Sequence, residues 1–236
     1  MTVCFADDRR ASPTEITMPN WETMWSANGG LKPGQAFDCR RCEPAFQRLL
    51  DTATDLPARA ARKALVPGCG RGYAVSSLFR AGFDAVGLDI APTAVEEANA
   101  YLASAASEDG ATFDATKCRV VCDDFFSHSG EYDVVYDCTF LCALDPDQRV
   151  EWAKKCKALL RPDGELITLI FPVVDPPYTG GPPHCMSPEL VRGLLEAQGF
   201  VEKQPIYEVP TEDLARASVM SKPAKEFVGR WIIQAP

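Results

Sequence analysis

The sequence predicts an α/β fold with a doubly wound, mostly parallel seven-stranded sheet. Short apolar runs alternate with longer amphipathic stretches along most of the chain, which is typical of parallel strands joined by helices on both faces. A glycine-rich turn directly after the first apolar run points the same way, because such turns connect a strand to a helix beside a bound ligand. With 236 residues, 46% of them hydrophobic, the chain is long enough to bury one full core.

The individual elements follow from the same pattern. Five apolar runs predict the first five strands, and the amphipathic stretches between them predict four helices. Two later apolar runs, at residues 206–209 and 231–233, predict two last strands as an antiparallel edge, and Arg161 to Gly164 predicts a sharp turn. The predicted strands cover residues 63–67, 84–89, 117–122, 132–137 and 164–171, and the predicted helices cover residues 74–80, 92–106, 146–160 and 188–197.

The N-terminal region differs in composition from the rest. Residues 1–20 are polar and contain Pro13 and Pro19, so we expect a flexible arm. Trp21 and Trp25 are four residues apart, which places both indoles on one face of a helix. A loop at residues 28–35 separates them from a second helical pattern at 40–53. We therefore predict a single domain over residues 21–236, with helices at about 21–55 covering a core at about 60–236.

Composition limits the class of partner. The chain carries 24 basic and 33 acidic residues, a net charge of −9, whereas nucleic-acid-binding proteins usually present a basic face. No stretch approaches the roughly 20 apolar residues of a membrane span. The N-terminus lacks the apolar segment of a signal peptide. We expect a cytoplasmic, monomeric protein that acts on a small molecule and binds neither nucleic acid nor membranes.

Ten cysteines raise the alternatives of a disulfide scaffold, a structural zinc site or a redox pair. Cys39 and Cys42 have CxxC spacing, but no second such pair accompanies them, and the chain has only two histidines, His128 and His184. Several other cysteines lie in apolar runs, where cysteine behaves as a small hydrophobic residue. No metal site is expected.

The most informative segment is the glycine turn that follows the first predicted strand. Gly68, Gly70 and Gly72 are spaced GxGxG, which differs from the GxGxxG of dinucleotide-binding folds, and no P-loop lysine follows. The second strand ends in Asp89 and Ile90, and an acid at that position can accept both hydroxyls of a ribose. The order of strand, turn, helix and acid favours S-adenosylmethionine over a nicotinamide dinucleotide. The alternative is an ordinary glycine-rich connection followed by a surface aspartate.

The third predicted strand ends in Asp123, Asp124 and Phe125. A carboxylate there can bond an adenine amino group while an aromatic ring covers the base. The alternative is that the aspartates cap the next turn and that the phenylalanine belongs to the core.

At this point the sequence resembles the thiopurine methyltransferase-like family of class I methyltransferases, in the branch of halide and thiol methyltransferases. The resemblance runs from about Trp21 to Trp231. The tryptophan pair, the run from Asp137 to Ala143 and the Gly180 to Pro183 loop are its most specific markers. The others are Phe37-Asp38, Leu65 to Gly70, Gly87 to Ile90, Tyr132 to Val135, Leu160 to Leu166 and Gly229 to Trp231.

The resemblance implies a Rossmann-like class I methyltransferase fold with an N-terminal helical lid. Trp21, Trp25 and Phe37 match lid positions over the cofactor, and Asp137 and Cys138 match the end of a strand beside it. S-adenosylmethionine would be the cofactor and S-adenosylhomocysteine the product. Cys138 and His184 stand where the plant members carry tyrosine, near the expected acceptor pocket.

We expect methyl transfer to a small soft nucleophile, a thiol or hydrosulfide first and a halide next, since such acceptors need no general base at the transfer step. His184, Tyr178 and Arg230 are the candidate catalytic residues: the first two lie in the loop after the fifth strand, and Arg230 is a possible anion-orienting group. Three alternatives stay open: an N- or O-methyltransferase of a small metabolite, a non-catalytic binding module, and a nicotinamide oxidoreductase, which lacks its motif here.

Overall fold

The computed structural model describes residues 20–57, 61–108, 114–219 and 221–234. The flexible arm predicted for residues 1–20 lies, apart from Asn20, outside the described residues. Among the described helices, none is both long and apolar enough to cross a membrane.

A seven-stranded sheet forms the centre of the fold, in the order β3-β2-β1-β4-β5-β9-β6. Strands β1 to β5 are parallel, whereas β9 runs antiparallel to both of its neighbours. The seven strands are β1 (Lys63–Pro67), β2 (Asp84–Asp89), β3 (Cys118–Cys122), β4 (Tyr132–Cys138), β5 (Leu160–Val173), β6 (Phe200–Glu208) and β9 (Lys225–Ile233). A separate two-stranded ribbon consists of β7 (Ser218–Val219) and β8 (Lys222–Pro223). The predicted fold class is confirmed.

Helices cover both faces of the sheet. Within the described residues the α-helices are α1 (Trp21–Ser26), α2 (Pro44–Thr52), α3 (Tyr73–Arg80), α4 (Pro92–Glu108), α5 (Arg149–Leu159) and α6 (Pro188–Glu196). Successive residues of a strand point to opposite faces, so Ala64 and Val66 pack with α2, α3 and α4, while Leu65 packs with α5 and α6. Because both faces are covered, β4 is buried along its whole length.

Three boundaries differ from the predictions for local reasons. The second helix begins at Pro44 instead of Arg40, because Arg40 has a positive φ of 62° and proline is favoured in a first helical turn. The helix predicted from residue 146 starts with a 3-10 turn, Pro146–Gln148, which the Asp145 side chain caps. Residues 161–164 form a bulge within β5, since Leu160 pairs with Tyr132 and Glu165 already pairs with Val134.

The strand order places the candidate site. Strands β2 and β4 lie on either side of β1, so the connections that leave the carboxyl ends of β1 and β4 run to opposite faces of the sheet. A crevice opens at such a switch point, and ligands of open α/β sheets bind there.

Candidate functional site

The glycine turn occupies the carboxyl end of β1. Gly68 and Gly70 have φ values of +55° and +51°, in the left-handed region that favours glycine. A Cβ on Gly68 would lie 2.5 Å from the ring of Phe140, and a Cβ on Gly70 would lie 3.4 Å from Trp25. The turn therefore brings bare backbone between two aromatic rings, where a side chain would fill the space that a ligand needs.

Asp89 lies directly beside this turn. Its two carboxylate oxygens accept hydrogen bonds from the backbone amides of Gly70 and Ala91, each at 3.0 Å. Burial raises the pKa of the Asp89 carboxyl, against the effect of these hydrogen bonds. The next residue, Ile90, is 58% exposed and presents an apolar surface at the edge of the crevice. A carboxylate held against the turn, next to exposed apolar surface, fits the ribose and adenine of S-adenosylmethionine.

The end of β3 contains only part of the predicted adenine site. The Asp123 amide donates to the carbonyl of Asp89, so the two acidic residues lie on adjacent strands. The Asp124 carboxylate accepts the Phe126 amide and caps the turn. Phe125 is buried in the core against Phe140, because this end of the sheet is closed by aromatic packing. The prediction that Phe125 covers the base is therefore wrong, and the partly exposed Asp123 carboxylate, which follows the strand next to Asp89, remains a candidate for the adenine contact.

His128 orients Asp123, a contact that sequence reasoning did not find. Its Nδ1 lies 2.7 Å from Asp123 Oδ2, and its Nε2 lies 2.8 Å from the Tyr132 hydroxyl. The pattern around residues 127–130 indicates only a surface turn. In the structure the His128 ring is largely buried, because the turn folds back on Tyr132 at the start of β4.

Replacing His128 by phenylalanine keeps a ring of similar size and removes both polar contacts. We expect S-adenosylhomocysteine to bind about tenfold more weakly, because a hydrogen bond to a charged group contributes about 1.5–3 kcal/mol. Titration calorimetry measures this. His128→Gln, which keeps a polar terminus, is expected to lose less. Unchanged affinity in a folded His128→Phe variant would show that Asp123 is not oriented through this contact.

The three aromatic residues predicted for the lid come together over the glycine turn. Trp25 is buried, and its ring centroid lies 5.8 Å from that of Phe37 in an edge arrangement. Trp21 lies 6.3 Å from Phe37 in the same geometry. The cluster packs on Ala91 and Ala94 at the start of α4. The loop between residues 26 and 36 thus brings Phe37 back to α1.

The end of β4 divides the two residues predicted there. Asp137 is buried on the α5 side and accepts hydrogen bonds from Trp152 Nε1 at 2.8 Å and the Leu141 amide at 3.2 Å. Burial raises the pKa of Asp137 to about 6. These contacts anchor α5, so the predicted cofactor contact by the Asp137 side chain is wrong. Cys138 points to the opposite face, toward Glu43 and Arg216.

Arg216, which no sequence motif indicates, lies beside Cys138 and Phe171. We call this part of the crevice the acceptor end. Arg216 Nη2 donates to the Phe37 carbonyl at 3.3 Å and to Glu43 at 3.2 Å, and its Nη1 lies 4.0 Å from the Cys138 sulfur. The guanidinium carbon lies 5.6 Å from the ring centroid of Phe171. Nε of Arg216 is buried and has no hydrogen-bond partner within the part of the chain that the structure describes.

A second, partly buried arginine, Arg149, lies near the same end. Arg149 begins α5, and its charge acts on Cys142. Burial lowers the pKa of Arg149. Its Nε also lacks a hydrogen-bond partner among the described residues. Arg149 and Arg216 therefore each border this region with one Nε–H donor that has no described hydrogen-bond partner. An arginine at the start of a helix is ordinarily solvated.

Tyr178 and His184 lie in the loop that closes the same end. The Tyr178 hydroxyl donates to the Pro183 carbonyl at 2.7 Å, and burial raises its pKa to about 12. The His184 amide donates to the Cys142 carbonyl at 2.7 Å, which ties the loop to the segment after β4. The catalytic role of both residues stays a prediction, and the Tyr178 hydroxyl is engaged by its own loop.

Arg230 lies elsewhere, and its predicted catalytic role is wrong. Because β9 is antiparallel to β5, Arg230 pairs with Ile167 in the middle of the sheet, whereas the carboxyl end of β5 pairs with residues near Lys225. Its guanidinium is buried in a double ion pair with Glu165 and also contacts Asp55 at 3.0 Å. Held in the middle of the sheet and away from the carboxyl end of β5, the guanidinium cannot reach an acceptor in the crevice.

Known proteins resemble this chain over most of its length, two in sequence and one in fold. Thiocyanate methyltransferase 1 from Brassica oleracea is 32% identical over 225 residues, covering 93% of this chain and 87% of that protein. A protein named probable thiol methyltransferase 2 from Arabidopsis thaliana is 33% identical, covering 92% of this chain and 86% of that protein. Magnesium protoporphyrin IX methyltransferase from Synechocystis PCC 6803, solved with bound SAM, superposes with a TM-score of 0.58 at 18% identity, covering 80% of this chain and 77% of that chain.

The family assignment rests on the sequence as a whole. Residues 16–225 match the sequence model described as thiopurine S-methyltransferase, which spans most of the 236-residue chain. The glycine turn and Asp89 lie within that match, at the switch point of the sheet. The chain therefore belongs to the thiopurine S-methyltransferase family, and S-adenosylmethionine is its cofactor.

Proposed function

We propose that this enzyme transfers the methyl group of S-adenosylmethionine to the sulfur of a small thiol or hydrosulfide. The observation that carries the proposal is a pair of arginines, Arg149 and Arg216, whose buried Nε atoms border the acceptor end and have no hydrogen-bond partner among the described residues. A buried cation favours the anionic form of a nearby thiol. The plant relatives named for thiocyanate and thiol methylation support the same acceptor class.

The residues at the cofactor end hold and cover the cofactor. Asp89 and Asp123 would accept hydrogen bonds from the ribose and adenine, Ile90 would contact the base, and Trp25 and Phe37 would exclude water. The bound cofactor supplies a methyl group on a positively charged sulfur. Aromatic faces attract such a charge, and a dry site keeps the nucleophile aligned.

The residues at the acceptor end position the nucleophile. Burial lowers the pKa of Arg216, but its interactions with Cys138 and Glu43 outweigh this, so the pKa lies above its ordinary value and the guanidinium stays charged. It would hold a thiolate against Cys138 and Phe171. His184 lies in the loop that closes the acceptor end and would contribute to the shape of its entrance. No step requires it as a base.

A panel of acceptors tests this proposal. Bisulfide and small thiols should give the highest kcat/KM, and the rate with each thiol should rise with pH toward the pKa of that thiol, because the thiolate is the nucleophile. Amines and phenols of similar size serve as controls, and methylated products are measured by mass spectrometry. Activity confined to amines or phenols would contradict the proposal, and cofactor binding without any turnover would indicate a binding module.

A small anion is the second candidate acceptor. A buried guanidinium would also hold thiocyanate or iodide, and a thiocyanate methyltransferase is among the relatives. Both anions react without losing a proton, so their rates should not depend on pH where those of thiols do. We further propose that the enzyme acts as a monomer in a reducing compartment, since one chain supplies the whole site and all nine described cysteines are free.

A further inference from the structure

Arg71 is a buried cation within the glycine turn, yet its side chain leaves the cofactor site. It lies between Gly70 and Gly72, where the motif treats it as a spacer. Its Nε donates to Asp38 at 2.9 Å, its Nη1 to Glu97 at 2.6 Å and its Nη2 to the Leu31 carbonyl at 2.7 Å. Two of these three partners, Asp38 and Leu31, belong to the N-terminal segment that covers the site. We call residues 21–40 the covering segment.

Asp38 links Arg71 to further residues of the covering segment. Its carboxylate also accepts hydrogen bonds from the amides of Gly34 at 3.0 Å and Arg40 at 2.7 Å, and from the Tyr73 hydroxyl at 3.2 Å. Burial alone would raise the pKa of Asp38, but the hydrogen bonds from Arg71 and these amides outweigh it, so the pKa lies below its ordinary value. Asp38 therefore stays ionised, and one carboxylate fixes the loop from residue 34 to residue 40 on the glycine turn.

Arg71 also touches the tryptophan that lies over the turn. Its guanidinium carbon is 5.3 Å from the ring centroid of Trp25, within the range of a cation–π contact. Trp25 is at the same time the nearest side chain to the open side of Gly70. The backbone that receives the cofactor and the ring that covers it are thus joined through one side chain.

We propose that Arg71 is a positioning residue that fastens residues 31–38 and Trp25 over the bound cofactor and thereby limits how fast the product leaves. When the Arg71–Asp38 pair is broken, the covering segment keeps Glu22, whose carboxylate accepts hydrogen bonds from Thr93 at the start of α4. The segment should then open more often without detaching. This role rests on the cofactor site alone and holds whichever acceptor is methylated.

The test follows the release of isotope-labelled S-adenosylhomocysteine into an excess of unlabelled compound, with no acceptor present. Arg71→Gln and Asp38→Asn should each raise the dissociation rate about tenfold, because a less populated closed state releases its ligand faster. The double variant should raise the rate by less than the product of the two single effects, since both substitutions remove the shared Arg71–Asp38 contact. Arg71→Lys, which keeps one ion pair, should fall between Arg71→Gln and the unmodified enzyme.

Two controls separate this role from a general structural one. Glu97 is the partner of Arg71 that lies on α4 outside the covering segment, so Glu97→Gln should leave the rate within about twofold. Arg62, which contacts the Ala81 carbonyl and lies over Phe83, is a matched arginine away from the site, and Arg62→Gln should not change the rate. A folded Arg71→Gln variant with an unchanged rate, or a Glu97→Gln variant as fast as it, would overturn the proposal. If Arg71→Gln does not fold, Asp38→Asn decides by the same criterion.

Discussion

Asp89→Ala should weaken the binding of S-adenosylhomocysteine about 100-fold, because two hydrogen bonds to a charged carboxylate are lost together. The carboxylate also accepts the amides of Gly70 and Ala91, so its removal leaves both donors without their partner at the glycine turn. The substitution should therefore lower the affinity for the cofactor and also change the conformation of the glycine turn. Titration calorimetry gives the affinity, and circular dichroism establishes that the variant is folded.

Asp84 offers a matched control for this variant. Asp84 is the first residue of β2 and Asp89 is the last, so Asp84 lies at the amino end of the strand, remote from the crevice. Asp84→Ala should leave the affinity for S-adenosylhomocysteine within about twofold, since it removes a partly exposed charge away from the site. An Asp89→Ala variant that binds as tightly as Asp84→Ala would mean that Asp89 does not hold the ribose.

Arg216→Gln should lower kcat/KM for a thiol acceptor about 1000-fold while changing cofactor affinity less than threefold. The glutamine removes the buried charge that would hold the thiolate, and removing one partner of a buried ion pair costs about 3–5 kcal/mol. Part of that cost appears as lower stability, because Glu43 loses its ion pair and keeps only weaker partners such as the Tyr136 hydroxyl at 3.3 Å and the Cys138 thiol. Steady-state kinetics with bisulfide and thermal unfolding measure the two effects.

Two further variants make this prediction specific. Arg216→Lys keeps the charge without the planar fork, and we expect it to recover part of the activity. Arg192 forms a partly exposed ion pair with Glu202 at 2.6 Å, remote from Arg216 in the sequence and outside the candidate site, so Arg192→Gln should change neither kinetics nor cofactor affinity. If Arg216→Gln retained full activity with thiols, the acceptor would have to be held by Arg149 or by the loop that carries His184.

Local sequence patterns predict the architecture and the segments that frame the glycine turn. Parallel strands buried on both faces must be almost wholly apolar, so β1 and β2 were predicted with the bounds that the structure has. The glycine turn and Asp89 were predictable because a strand, a tight turn and the following acid lie within about twenty residues. Trp21 and Trp25 were predictable because helical spacing alone places them on one face.

The contacts at the acceptor end could not be predicted from the sequence, because they join residues that are far apart in the chain. Arg216 lies 173 positions from Glu43 and 179 from Phe37, and no local pattern reports such a pairing. The direction of β9 removed Arg230 from the site, and the packing of Trp152 turned Asp137 toward α5. Phe125 was expected at the adenine site but is buried in the core. His128 was expected in a surface turn but lies beside Asp123. Local periodicity determines the elements, whereas the charges that meet in the crevice are set by how the sheet brings distant loops together.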